Sequence, residues 1–128
     1  MIGYVTLGTN NLERAVAFYD ELLAPLGAGR FMEFEGIFVA WAIAPDKPGL
    51  SVTKPFDGNP ATVGNGMMVA LSVDSKELVH KIYDKAIELG GKDEGPAGPR
   101  SDGFYAGYFR DLDGNKLNVF CLSDPNSQ

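Results

Sequence analysis

Two kinds of hydrophobic pattern follow one another along this chain, and the pair occurs twice. Around Tyr4-Val5-Thr6-Leu7 apolar and polar positions alternate, the two-residue period of a half-buried strand. From Leu12 the period lengthens: Leu12, Ala15, Val16, Tyr19, Leu22 and Leu23 share one side of a helix predicted over residues 11–24. The change recurs after Val69-Ala70-Leu71-Ser72-Val73, where Leu78, Val79, Ile82, Ala86 and Leu89 mark a helix over 75–89. Asn10 with Glu13, and Asp74 with Glu77, have the spacing of a capping box. Gly27 and Gly90-Gly91 supply the glycine expected beyond each helix end. Three strands then follow each helix, near 30–35, 37–44 and 49–54, and near 92–94, 104–110 and 115–122. Pro45-Asp46-Lys47-Pro48-Gly49 and Asp111-Leu112-Asp113-Gly114-Asn115 are the turns before the last strand of each set.

The duplication extends to residue identity. Shifted by 64 positions, Val5, Leu7, Glu13, Tyr19, Asp20 and Gly27 fall on Val69, Leu71, Glu77, Tyr83, Asp84 and Gly91. The fold class expected is therefore α+β: one domain over 1–128, built from βαβββ modules at 1–55 and 67–122 that form a concave cleft. Residues 56–66, with Asp57-Gly58-Asn59-Pro60 and Gly64-Asn65-Gly66, are the linker.

Alternation also assigns faces. Val5 and Leu7, Leu50 and Val52, Val69, Leu71 and Val73, and Leu117, Val119 and Cys121 are apolar rows that belong beneath the helices. The opposite rows are Tyr4 and Thr6, Ser51 and Thr53, Met68, Ala70 and Ser72, and Asn118 and Phe120. That mixture suits the wall of a small-molecule cleft. Arg110 is directed to the same face, because an unpaired guanidinium is costly to bury. Tyr108 goes with it, and Trp41 is set at the matching place in the first module, leaving Ala40, Ala42 and Gly107 under the helices. Arg100, in a Gly-Pro-rich loop, can fold over the cleft mouth and clamp an anionic group, or remain a solvated loop residue.

Composition removes several function classes. The net charge is −6 and the basic residues are scattered, so neither nucleic acid nor an anionic membrane is an expected partner. No apolar run reaches the roughly 18 residues needed to span a bilayer. The start of the chain lacks the pattern of a signal peptide, and one cysteine permits no internal disulfide, so a cytoplasmic location is expected.

Tyr4-Val5-Thr6-Leu7-Gly8, followed by Leu12-Glu13-Arg14-Ala15-Val16-Ala17-Phe18-Tyr19, resembles the opening of glyoxalase-like proteins of the vicinal-oxygen-chelate superfamily. Phe109-Arg110-Asp111-Leu112-Asp113-Gly114-Asn115-Lys116-Leu117 is similar to their last hairpin, which usually has proline where Leu112 stands. The resemblance implies the paired βαβββ fold, frequent dimerisation, and a divalent metal held by histidines and carboxylates on the first and last strand of each module. It places those ligands at Tyr4, Ser51, Met68 and Asn118, where none of the usual His or Glu is present. No metal and no cofactor are expected on that donor set.

The only histidine, His80, falls on the polar face of the second helix and reads as a surface residue. Cys121 reads as core. Acid–base work without metal is left to Tyr4, Arg110 or Glu33, and no nucleophile–base pair can be assembled. The leading expectation is a metal-independent protein that binds a small amphipathic or aromatic molecule, as a homodimer. The alternatives are a divergent lyase, isomerase or dioxygenase, and a non-catalytic interaction protein.

Overall fold

A computed structural model describes residues 1–122 of the chain. The first half contains β1 (Tyr4–Gly8), α1 (Leu12–Leu23), a short 3-10 turn (Ala24–Leu26), β2 (Gly29–Phe34), β3 (Phe38–Ala42) and β4 (Gly49–Thr53). The second contains β5 (Val69–Ser72), α2 (Lys76–Glu88), β6 (Lys92–Pro99), β7 (Phe104–Arg110) and β8 (Lys116–Leu122). They form two four-stranded sheets of the same order, β1-β4-β3-β2 and β5-β8-β7-β6. In each, the first strand runs parallel to the last, and the other pairings are antiparallel. This is the paired βαβββ arrangement expected from the repeat, with β6 longer than the three residues assigned to it.

Each helix covers one face of its own sheet, and α1 also packs against α2. Tyr19 and Leu22 on α1 and Val79, Ile82 and Ala86 on α2 have no exposed surface. They meet Leu50, Val52, Leu117, Val119 and Cys121, so the apolar rows lie where alternation placed them. Both helix starts are displaced by one residue from the expected capping boxes. Asn11 accepts from the Arg14 amide at 3.1 Å, and Ser75 accepts from Leu78 at 3.1 Å. Asn10 serves instead to hold the connection, its side-chain oxygen accepting from the Ala61 amide at 2.6 Å. At the other end of α2, Gly90 takes a φ of +100°, which side-chain-bearing residues rarely adopt.

Trp41 overturns one expectation. It is 1% exposed, lies 5.7 Å from the Tyr19 ring, and donates its indole N–H to Asp20 at 2.8 Å. It therefore faces α1 and not the open face of the sheet. Ala40, paired with Ser51, takes the open side that had been given to Trp41, and Ala42 shares its row. The physical cause is hairpin length. Trp41 pairs with Leu50 and Phe109 pairs with Leu117, so eight residues separate the partners in the first hairpin and seven in the second. Phe109, not Tyr108, is thus the counterpart of Trp41. In the second module the orientation is as expected: a Cβ on Gly107 would stand 3.0 Å from Tyr83 of α2, so Gly107 lies under the helix.

Candidate functional site

The open faces are the sheet surfaces turned away from the helices. On the first sheet, β1 and β4 place Tyr4, Thr6, Ser51 and Thr53 there, with Thr6 and Ser51 registered opposite each other. Their hydroxyls lie 2.8 Å apart, and Ser51 also donates to the Val5 carbonyl at 3.1 Å. Ser51 has no exposed surface, whereas Tyr4 is 59% exposed. Phe31, Met32 and Phe34 of β2 are exposed as well. A polar patch at the centre of this sheet is thus flanked by uncovered apolar side chains. Glu33 is not part of it: its register partner Val39 is on the helix side, and its carboxylate pairs with Arg30 at 2.6 Å.

On the second sheet, Tyr108 lies directly across from Asn118, Ala106 across from Phe120, and Ala70 beside Asn118. Phe120 stacks on Phe104 with centroids 5.3 Å apart. Arg110 donates to Glu94 at 2.6 Å and to the Gly114 carbonyl at 2.9 Å. The guanidinium depresses the Glu94 pKa, so this carboxyl stays ionised. Asn118 is 1% exposed, and its carboxamide oxygen has no hydrogen-bond partner among the described residues. Arg100 belongs to this face too, its guanidinium 5.4 Å from the Tyr108 ring centroid.

Between the sheets runs a seam where β1 and β5 face each other as edge strands. A cavity of about 650 Å³ opens along it. Val5, Leu26, Trp41 and Leu50 wall it from the first module, and the whole edge from Met68 to Ser72, Val69 and Leu71 included, lines it from the second. Among the described residues, Lys47 is its single charged neighbour. No alternation argument reveals this space, because it depends on how far two edges stand apart. Trp41 therefore does reach a ligand-sized space, from beneath the sheet.

The opposite end of the seam is bridged by the β7–β8 hairpin. Asp113 accepts from the Thr9 hydroxyl at 2.6 Å and the Asn10 amide at 3.0 Å, and Asn115 donates to the Gly8 carbonyl at 3.0 Å. Asp111, 5% exposed, accepts from the Tyr19 hydroxyl at 2.6 Å and from three donors of its own hairpin. Burial, then the charge of Asp111, pushes the Tyr19 pKa well above its ordinary value.

His80 is exposed and lies 2.6 Å from the Tyr105 hydroxyl. Cys121 is buried. Among the described residues, no three His, Cys, Asp or Glu side chains gather at one point. The four positions implied for a metal divide between the sheets, Tyr4 and Ser51 on the first, Met68 and Asn118 at the second. No helix of the described residues is long and apolar enough to cross a membrane.

The profile of the Glyoxalase/Bleomycin resistance protein/Dioxygenase superfamily matches residues 1–119. The chain belongs to that superfamily. It is similar to a glyoxalase/bleomycin resistance protein from Albidiferax ferrireducens, with 33% identity, a TM-score of 0.85, and coverage of 96% of this chain and 99% of that one. A glyoxalase/bleomycin resistance protein/dioxygenase family enzyme from Burkholderia phytofirmans shares the fold at 17% identity, with a TM-score of 0.74 and coverage of 94% and 98%. So does a lactoylglutathione lyase from Agrobacterium tumefaciens, at 21% identity and a TM-score of 0.69, covering 94% and 92%. No curated protein matches this chain.

Proposed function

We propose that this chain is a small-molecule binding protein that holds an amphipathic ligand in the cleft between its modules without a transition metal. The observation that carries the reading is the seam cavity: its volume of about 650 Å³ is that of a drug-sized ligand site, and its walls are almost wholly apolar. Met68, Ala70 and Ser72 belong to both the cavity and the open face, so an apolar body and a polar head can be bound together.

Metal independence rests on donor chemistry. A divalent ion that gives up water needs imidazole, thiolate or carboxylate in return. Tyr4, Ser51, Met68 and Asn118 offer a phenol, a hydroxyl, a thioether and a carboxamide, and the Ser51 hydroxyl is already engaged. They do not fit such an ion. The reading includes a homodimer, since Tyr4, Phe31, Met32 and Phe34 form an exposed apolar surface of the kind that marks association. It also includes a cytoplasmic setting, where a lone buried thiol persists.

Two titrations test it. Protein purified without chelator or histidine tag should give no stoichiometric heat with zinc, nickel, manganese or iron(II). The amphipathic fluorophore 1-anilinonaphthalene-8-sulfonate should bind, and Ser72→Trp, which fills the cavity, should remove that binding. Stoichiometric metal lost on Asn118→Ala, or fluorophore binding indifferent to Ser72→Trp, would overturn the proposal.

A further inference from the structure

The geometry points to a ligand class for the second module: a small planar anion that also carries a hydrogen-bond donor, its charge met by the held Arg100 guanidinium with Lys116 beside it. This rests on the binding-protein reading above and adds what the ligand must present.

Asn118 is the first observation. Its carboxamide oxygen is buried and has no partner among the described residues, although buried polar atoms are nearly always paired. An acceptor in that state is completed by an O–H or N–H from outside the fold. Its register neighbour on β5 is Ala70, which is exposed and carries only a methyl group, so β5 sets little side-chain bulk between Asn118 and the seam.

The cations are the second, independent observation. Lys116 Nζ lies 5.7 Å and the Arg100 guanidinium 5.4 Å from the centroid of Tyr108, the residue directly opposite Asn118. Arg100 is held by neutral groups only, the carbonyls of Pro96 at 2.6 Å, Gly98 at 3.0 Å and Pro99 at 3.3 Å. Glycines make room for it, since a Cβ on Gly95 would come within 3.2 Å of Nη2. Its position is therefore set while its charge is not cancelled. Among the described residues neither Arg100 nor Lys116 is within ion-pair distance of a carboxylate, whereas Arg110 on the same face is matched by Glu94. A held guanidinium with no carboxylate partner, and the Lys116 ammonium beside the same ring, select a carboxylate, sulfonate or phosphate attached to a flat body. Lys116 and Asn118 are two residues apart on one strand, about 7 Å, so the anionic group and the donor belong to one compact molecule.

The test uses the whole chain and 3-hydroxybenzoate, which has a carboxylate and a hydroxyl on one ring. Two matched probes remove one feature each: 3-methoxybenzoate lacks the donor, and 3-hydroxybenzamide lacks the charge. By calorimetry 3-hydroxybenzoate should bind about tenfold more tightly than either, the ratio that corresponds to one such interaction. The preference for acid over amide should disappear in Arg100→Gln/Lys116→Met. The preference for hydroxyl over methoxy should disappear in Asn118→Leu. Circular dichroism identifies a variant that fails to fold, and the two ratios measured on the unaltered chain then decide. Equal affinity for all three probes, or preferences unchanged in folded variants, would overturn the inference. If 1-anilinonaphthalene-8-sulfonate still enters the seam while 3-hydroxybenzoate does not bind, the cleft reading survives and the ligand class falls. Binding of neither removes both.

Discussion

Tyr19 of α1 donates its hydroxyl to Asp111 of the β7–β8 hairpin at 2.6 Å, an internal bond between a residue of the first module and one of the second. Both groups are buried, so neither can turn to water in the folded chain. Asp111 keeps three other donors, Asp113 N, Asn115 N and Asn115 Nδ2. Tyr19→Phe should therefore cost about 1–2 kcal/mol, the lower part of the range for a buried acceptor losing one bond. Urea unfolding at pH 7 measures it. The variant should also lose alkaline sensitivity. A phenol whose pKa is raised on folding contributes stability that is intact below its unfolded value near 10 and fades as pH rises toward the folded value. Wild-type stability should fall above pH 10 more steeply than that of Tyr19→Phe. Tyr83, pushed up to about 12 by burial and Asp93, keeps a residual slope in both.

Asp20 accepts from Arg30 Nε at 3.0 Å and from the Trp41 indole at 2.8 Å. The bond from Arg30 is the main cause that lowers its pKa below the usual 3.8. A depressed carboxylate gives stability that is present above its unfolded pKa and lost as pH falls through the folded one. Asp20→Asn should thus be less stable than wild type at pH 5, with the gap closing below pH 3.8. Trp41 fluorescence in urea at stepped pH reports both curves. A gap of constant size would show that the charge is irrelevant and only the shape of the side chain counts.

Asn118→Leu should raise stability. The buried oxygen without a partner carries a desolvation cost of roughly 1–3 kcal/mol, and leucine of similar size removes it. A higher thermal midpoint, by roughly 4–11 °C for a chain of this length, is the expected result. A lower midpoint would mean that the amide is satisfied by ordered water, and that its burial needs no ligand.

Fold and site were unequally legible in the residues. The modules stand out because one period-two strand and one helical stripe occur twice, and because the apolar rows of β4 and β8 leave a single way to bury them. Helix starts were read one residue early, since Asn10-Asn11 and Asp74-Ser75 each offer adjacent capping side chains and only tertiary contact decides. Asn10 is taken by Ala61. Trp41 was misplaced because the first hairpin is one residue longer, and in a strand one residue reverses the face. Tyr108 follows from its alternation with Arg110, and Arg100 from its place in a Gly-Pro-rich loop. The seam cavity and the burial of Asn118 depend on distances between separate elements, for which a one-dimensional pattern has no term.

The two hairpins close the seam unequally. Asp113 and Asn115 bind the far end of β1, at Gly8 to Asn10, while at the Ile2 end Lys47 and Pro48 border open space. From Ile2 to Gly8 is roughly 20 Å of extended chain. A rotation of a few degrees about the bonded end would change the width of the free end by an ångström or more. Girth is then a soft variable at this entrance and the chemistry of the head group a hard one. On the binding reading proposed above, a protein so built discriminates among guests by charge and hydrogen bonding while tolerating variation in their apolar bulk.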